Sequence, residues 1–462
     1  MPEEMIAVEP EYAAYVALDW ADREHAWALE LPGGKKESGK LSQTPEAIDA
    51  WAAELARRFG GRPVAVALEQ SRGALFYALQ KYSHLVLYSI HPSTSADYRK
   101  AMFPAGRKSD PVDADLQLEL LVRHRNRLRR LQLDDSRTRK LQLLTEKRRQ
   151  LVDQQTAQTN RLTDLLKIYF PQALEWLRPL GTPMSIAFLQ RWPTLPQLKK
   201  EDPEVVRRFF YQSGSRSHKR IDSRLAEIQQ ARPAIEDEAI IDPCVLMTQA
   251  LLNLIAALGE GIANLQRACE QAFAAHPDAV IFNSFPGAGP VLAPRLLAAF
   301  GSQRNRWNSV QEMQPYTGIP PITVSSGNSE RIHFRWKCPK FLRQTFHEHA
   351  GCSIQHSQWA RAFYDHQRQV KNLDHDAAVR SLAYKWQRIL FRCWKDRTPY
   401  QESYYQERLL QRHSAPPPPS IPPGTTTPKS THRIQGCAAG SNPVHFQFKK
   451  VAGFSKLSDA TS

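Results

Sequence analysis

"AYVALDWADREHAWALELPGGKKESGKLSQ", residues 14–43, decides the fold class. Its opening AYVALDWA (14–21) reads as a short buried strand carrying Asp19 at its end. HAWALEL (25–31) alternates apolar and polar residues, the mark of a half-buried strand. Gly33 and Gly34 supply a turn into KESGKLSQ, so three consecutive antiparallel strands are expected. Thr44 and Pro45 then form an N-cap and first-turn pair. Ile48, Trp51, Ala52, Leu55 and Phe59 follow at helical spacing, and Gly60 ends the helix. A second buried strand (PVAVALEQ, 63–70), a helix (71–82) and a third (HLVLYSIHP, 84–92) complete the pattern.

Three antiparallel strands followed by helix–strand–helix–strand is the order of a ribonuclease-H-like (RuvC-like) α/β domain, assigned here to residues 10–122. From about 116 to 170 the chain contains neither Pro nor Gly, and Leu141, Leu144, Leu151, Leu162 and Leu165 fit one heptad register. Arg148, Gln155 and Gln158 fall on the same seam, so an imperfect coiled-coil-like arm is expected. Residues 123–149 hold eleven Arg or Lys against three Asp or Glu, a one-sided surplus suited to phosphate contact. Residues 171–243 carry amphipathic pieces interrupted by Pro, and a long apolar helix over 244–275 is a natural antiparallel mate for the arm. Residues 123–277 are therefore read as arm and linker, 278–400 as a mainly helical unit, and the Pro-rich 414–462 as a disordered tail.

The chain of 462 residues has a formal charge of +16 and a pI of about 9.6, which points to a polyanionic partner. No apolar run is expected to span a bilayer, and the acidic start MPEEMIAVEPEY lacks a signal-peptide pattern. Nucleic acid rather than membrane is the expected partner. The six cysteines are scattered without a C-x-x-C pair, which fits reduced thiols in the cytoplasm and neither a zinc ribbon nor a disulfide framework.

Asp19 and Glu69 each close a buried strand, and neighbouring parallel strands would bring them together. Asp110 and Asp113 stand at i and i+3 on a helix opened by Pro111, projecting from one side of its first turn. A helix cap would need only one of them; four converging carboxylates would repel unless divalent cations, here Mg²⁺, neutralised them. Asp115 cannot share that helix face and is read as solvated.

In the C-terminal unit, NSFPGAGPVLAPRLLAAFG (283–301) places Gly287 and Gly289 in a turn opening a helix, a hairpin that offers backbone N–H groups to a phosphate. Further on, Ser325 and Ser326 precede Gly327, with Arg331, Arg335, Lys337, Lys340 and Arg343 behind them. A serine flanked by five cations is well set to attack a phosphodiester. Histidines 333, 347 and 349 do not make a zinc pattern.

These stretches, in order, resemble the DEDD-type transposases of the IS-one-ten/IS-eleven-eleven insertion sequences, which act as bridge-RNA-guided serine recombinases. The resemblance rests on YVALDWADREHAW, VAVALEQSRG, GRKSDPVDADLQLEL, FPGAGPVLAPRLLAAFG and YTGIPPITVSSGNSERIHFRWKCPKFLRQTF. It implies that Asp19, Glu69, Asp110 and Asp113 bind Mg²⁺ in a RuvC-like domain. It also implies that Ser326, or its neighbour Ser325, forms a covalent link to DNA during strand exchange. A guide RNA, DNA at insertion-sequence ends and target, and a homo-oligomer (dimer or tetramer) with composite sites are implied as partners, in a bacterial, nucleoid-associated setting. Lys337-Cys338-Pro339 departs from the family's K-x-G. A metal-dependent junction-resolving nuclease using water, and a non-catalytic nucleic-acid-binding protein, are the alternative readings.

Overall fold

A computed structural model describes residues 11–69, 73–103, 109–326, 329–333, 335 and 338–414. Strands β1 (Ala14–Asp19), β2 (Glu24–Glu30) and β3 (Lys36–Ser42) run antiparallel, as expected. The turn between β2 and β3 is closed by Gly34 N–H donating to Leu31 O, with Gly34 at φ +82°. Gly39 on edge strand β3 faces Trp27 across the ladder; a Cβ there would lie 2.7 Å from the indole. Helix α1 (Pro45–Arg58) starts where Thr44 Oγ1 accepts from Ala47 N–H at 3.2 Å. Next come β4 (Val64–Leu68), α2 (Ala74–Leu79), β5 (Leu85–Ser89) and α3 (Pro92–Met102). β1, β4 and β5 are parallel and interior, and their near-continuous apolar sequences are buried on both faces.

Helix α4 (Asp110–His124) covers one face of this sheet through Ala114, Leu118 and Leu121, while α1 and α2 cover the other. The Pro- and Gly-free stretch beyond α4 is not one continuous helix. A 3₁₀ turn and a two-residue strand, β6 (Arg129–Arg130), intervene before α5 (Ser136–Tyr169). β6 pairs antiparallel with β5, giving the order β3-β2-β1-β4-β5-β6. The free edge of β5 takes up this backbone, and Asp135 then starts α5 by accepting from Thr138 N–H.

Five short helices follow: α6 (Ala173–Trp176), α7 (Pro183–Arg191), α8 (Leu195–Lys200), α9 (Pro203–Gln212) and α10 (His218–Gln230). They share a core with the end of α5 and with α11 (Glu238–Ala274), built on Phe170, Trp176, Phe188, Trp192, Phe210, Leu252 and others. α5 and α11 pair along their length as antiparallel mates. Thr138 meets His276, Leu151 approaches Gly261, and Tyr169 O–H donates to Thr248. Of the expected seam leucines, Leu141 and Leu162 are buried, whereas Leu144, Leu151 and Leu165 are only partly covered and Leu166 is buried instead. Two helices alone cannot enclose a seam over the middle of the arm.

The expectation that no apolar stretch could span a bilayer needs correction. α11 is 37 residues long, and its most apolar window has a mean hydropathy of 1.7, enough by length and composition. About 28% of that stretch is buried, with Leu251, Leu252 and Ile255 packed in the core shared with α5 and the short helices.

The remaining elements are α12 (Ala279–Asn283), α13 (Gly289–Phe300), α14 (Val310–Thr317), the ribbon β7 (Ile322–Ser326) and β8 (Ser329–His333), α15 (Lys340–Ser353), α16 (Gln358–Gln369) and α17 (His375–Asp396). Their core is aromatic: Phe282, Phe285, Phe300, Phe346, Trp386 and Trp394. The indole N–H groups of Trp359, Trp386 and Trp394 all donate, to Tyr400, Ser353 and Gly301 respectively. Residues from Ser403 form a separate unit, which includes most of α18 (Glu402–Ser414).

Candidate functional site

The register of the central strands fixes the first half of the site. Leu18 pairs with Leu68 across β1 and β4, so Asp19 and Glu69 are the next residues on adjacent parallel strands. α4 crosses this end of the sheet with Asp110 and Asp113 both in its first turn, Asp113 buried and Asp110 exposed, and with Asp115 exposed on the far side. Ser109, not Asp110, is the N-cap residue, so Asp110 is not consumed as a helix cap. Asp19 is 8% exposed. Burial, and then the like charges of Asp113, Glu69 and Asp110, push its carboxyl up to about 6, against the opposing hydrogen bond from Gln117. The other three carboxylates expected from the sequence each act on Asp19.

Two further side chains join them. Gln117 Nε2 donates to Asp19 Oδ1 at 2.9 Å, and Arg99 Nε donates to Asp113 Oδ1 at 2.5 Å. Gln117 is 1% exposed, and its Oε1 is buried without a donor among the described residues. Neither residue was legible as a site member. For Gln117 a signal existed, since it stands seven and four positions after Asp110 and Asp113, on their helix face. Arg99 lies on another helix, and nothing local links it to Asp113. Among the described residues, no three His, Cys, Asp or Glu side chains converge closely enough to hold a metal ion. The donor set is nonetheless the hard oxygen chemistry that suits Mg²⁺, and the crowding of negative charge and the orphaned Gln117 Oε1 both fit a cation.

The second half of the site is on the β7–β8 ribbon. Ser325 is exposed near its end, and Ser326 pairs with Ser329 at the last rung. The side chain of Ser326, together with Gly327 and Lys337, lies outside the described residues. Arg331 is exposed on β8 and Lys340 is exposed at the start of α15. Arg343 spends a donor on Arg335 O at 3.1 Å, so it shapes the loop as well as adding charge. Among the described residues, the groups acting on Asp19 are Asp113, Glu69, Gln117 and Asp110, with none from this ribbon.

The glycine turn before α13 divides its two members. Gly287 has φ +75°, and a Cβ there would lie 2.8 Å from the backbone of Cys352 in α15. Its need is close packing. Gly289, at φ +54°, faces open space. α13 has no side-chain cap at its N-terminus, which leaves backbone N–H groups there for an anion. His349 is fully buried against Phe285 and Trp386, and burial pushes it down to about 4, consistent with a packing role.

Part of the basic surplus is internal. Arg149 pairs with Asp153 and Glu348, and Arg295 of α13 pairs with the same Glu348. Asp134 was also missed. Its carboxylate accepts from Ser302 N–H (2.7 Å), Gln303 N–H (3.2 Å), Gln142 (2.8 Å) and Arg306 (2.5 Å), tying the base of α5 to the loop after α13.

Comparison with known proteins covers both halves. Residues 16–171, which contain the acidic cluster, match the transposase model DEDD_Tnp_IS110. Residues 279–365, which contain the glycine turn and the serine ribbon, match the model described as transposase, IS116/IS110/IS902 family. The chain belongs to the IS110 family of transposases. Two relatives from Streptomyces coelicolor extend the likeness. The protein named "Mini-circle putative transposase for IS117" is 28% identical over 416 residues, covering 87% of this chain and 99% of the relative. The "Insertion element IS110 uncharacterized 43.6 kDa protein" is 24% identical over 394 residues, covering 84% and 95%.

Proposed function

We propose that this IS110-family transposase cuts and exchanges DNA strands at insertion-sequence ends and at a target, using a serine nucleophile and a Mg²⁺-binding carboxylate site, with a bridge RNA choosing the sequences. The observation that carries this reading is the Leu18–Leu68 register, which sets Asp19 beside Glu69 beneath Asp113 of α4. Residues 10–122 would act as a ribonuclease-H-like metal domain, 123–277 as arm and linker, and 278–400 as the serine domain; the Pro-rich stretch after 414 lies outside the described residues.

Asp19, Glu69, Asp110 and Asp113 would hold Mg²⁺, which when bound supplies Lewis-acid stabilisation of a phosphate oxygen. Ser326 would attack the phosphorus and, as the DNA 3′-oxygen leaves, form a phosphoserine link. Arg331, Arg335, Lys337, Lys340 and Arg343 would neutralise the phosphate, and the turn at Gly287 and Gly289 would seat backbone phosphate on the N-terminus of α13. Because the phosphoester energy is kept in the protein–DNA link, the strand can be rejoined without hydrolysis. The same basic surface suits the guide RNA.

A homo-oligomer is supported by the arm. Ile240, Leu246, Met247 and Leu254 of α11 are exposed large apolar residues, and a second copy would cover them.

The deciding experiment supplies DNA with the insertion-sequence ends, Mg²⁺ and copurified RNA. Wild type should yield a covalent protein–DNA adduct on a denaturing gel. Ser326→Ala should lose it, with Ser325→Ala retaining it, and Asp110→Ala should lose cleavage altogether. Undiminished cleavage in Ser326→Ala would instead favour a water-using nuclease.

A further inference from the structure

Two of the four carboxylates are already engaged by donors. Asp113 is 4% exposed, and its Oδ1 accepts from the guanidinium of Arg99 at 2.5 Å. Asp19 Oδ1 accepts from the Gln117 amide at 2.9 Å. An N–H donor and a divalent cation compete for the same carboxylate lone pairs, and a guanidinium brings a full positive charge to the contest. Meanwhile Gln117 Oε1, buried beside Asp19, has no donor among the described residues, as fits an acceptor reserved for a cation or its hydration shell.

Arg99 stands in the last turn of α3, which packs on α4, and its side chain is 22% exposed. It therefore reaches the buried carboxylate from the rim of the site, with a solvent path for withdrawal. We propose that Arg99 is a built-in competitor for the divalent cation: its guanidinium holds Asp113 in a closed arrangement, and metal binding requires that ion pair to open. Arg99 is a positioning residue that sets metal occupancy, and the closed pair keeps Asp113 satisfied while no ion is bound. The inference rests on the reading of Asp19, Glu69, Asp110 and Asp113 as the metal site.

The test is a Mn²⁺ titration of the full-length protein, followed by calorimetry and by the free-ion electron paramagnetic resonance signal. Arg99→Gln removes the competing charge, and its Mn²⁺ affinity should rise by about tenfold, the size of a lost charge-assisted pair. Adding Asp19→Asn and Asp110→Asn to Arg99→Gln should abolish that binding. Equal or weaker affinity in Arg99→Gln, with wild type still binding through the carboxylates, overturns the competitor role and leaves the metal site standing. No binding by either protein overturns the metal reading and the inference together.

Melting provides a second readout, because Arg99→Gln leaves Asp113 buried and unpaired. Its melting temperature should fall without metal and gain more from Mn²⁺ than wild type does; an equal gain overturns the inference. Should Arg99→Gln fail to fold, Arg99→Lys keeps the charge without the planar fork. Its Mn²⁺ affinity should rise by about two- to threefold, and no gain overturns the inference.

Discussion

At Asp19 burial and charge are in conflict. Its carboxyl is pushed up to about 6 in the folded chain, against an ordinary value of 3.8. The folded state therefore holds a proton that the unfolded state has released between those two values. This group's cost to stability is full above about pH 6 and is relieved as pH falls toward 4. Asp19→Asn keeps an acceptor for Gln117 and removes the charge. Without metal it should stabilise the protein by about 2–3 kcal/mol at pH 8, a gain that disappears near pH 4 in parallel urea melts. Asp134 has the opposite character, being a buried carboxylate with donors from four residues. Asp134→Ala removes an acceptor from Arg306 and from two backbone N–H groups, and should cost about 3–5 kcal/mol in denaturant unfolding. The acids at Asp19, Glu69, Asp110 and Asp113 were legible because strand ends and helix phase are local properties. The partners Arg99 and Gln117, and the Asp134 joint, were not, because each is defined by a neighbour brought in by the fold.

Among the elements, the strands were the most legible. Their two-residue alternation, the Gly33–Gly34 turn and the Thr44–Pro45 start all speak within a few positions. β6 was missed because two residues carry no period, and only the open edge of β5 makes them a strand. The helices α6 to α10 were hard to read singly because each spans few turns and their shared core draws on both α5 and α11 at one end of the arm. The glycine turn supports an element-scale prediction. Gly287→Ala combines a positive φ with a clash against the backbone of α15, which cannot swing aside. It should destabilise by at least about 2 kcal/mol, whereas Gly289→Ala, strained only in φ, should cost about 1 kcal/mol and mainly affect DNA retention. Thermal melts of the two variants, set beside DNA gel shifts, separate packing from contact.

For the whole molecule, the arm carries the clearest expectation. Leu246 is 73% exposed and Met247 is 48% exposed on a helix whose opposite face is committed to α5 and the short helices. Changing both to Glu should leave the unfolding free energy of the protomer within about 0.5 kcal/mol of its starting value. Sedimentation velocity should nonetheless register loss of the oligomer. An unchanged sedimentation coefficient would remove the arm as the association surface. The basic charge of the sequence foretold a nucleic-acid partner at this scale, yet Arg149 and Arg295 turn out to be committed to Glu348, so net charge overstates the surface on offer.

The joint at Asp134 also constrains the order in which the chain is built. Its carboxylate waits for Ser302, 168 residues further along, and Gly301 is the residue whose missing side chain leaves room for it. A ribosome must therefore make the whole outward and returning arm before the base can close. The hairpin of α5 and α11 acts as the splint that brings the two ends of this long detour into register.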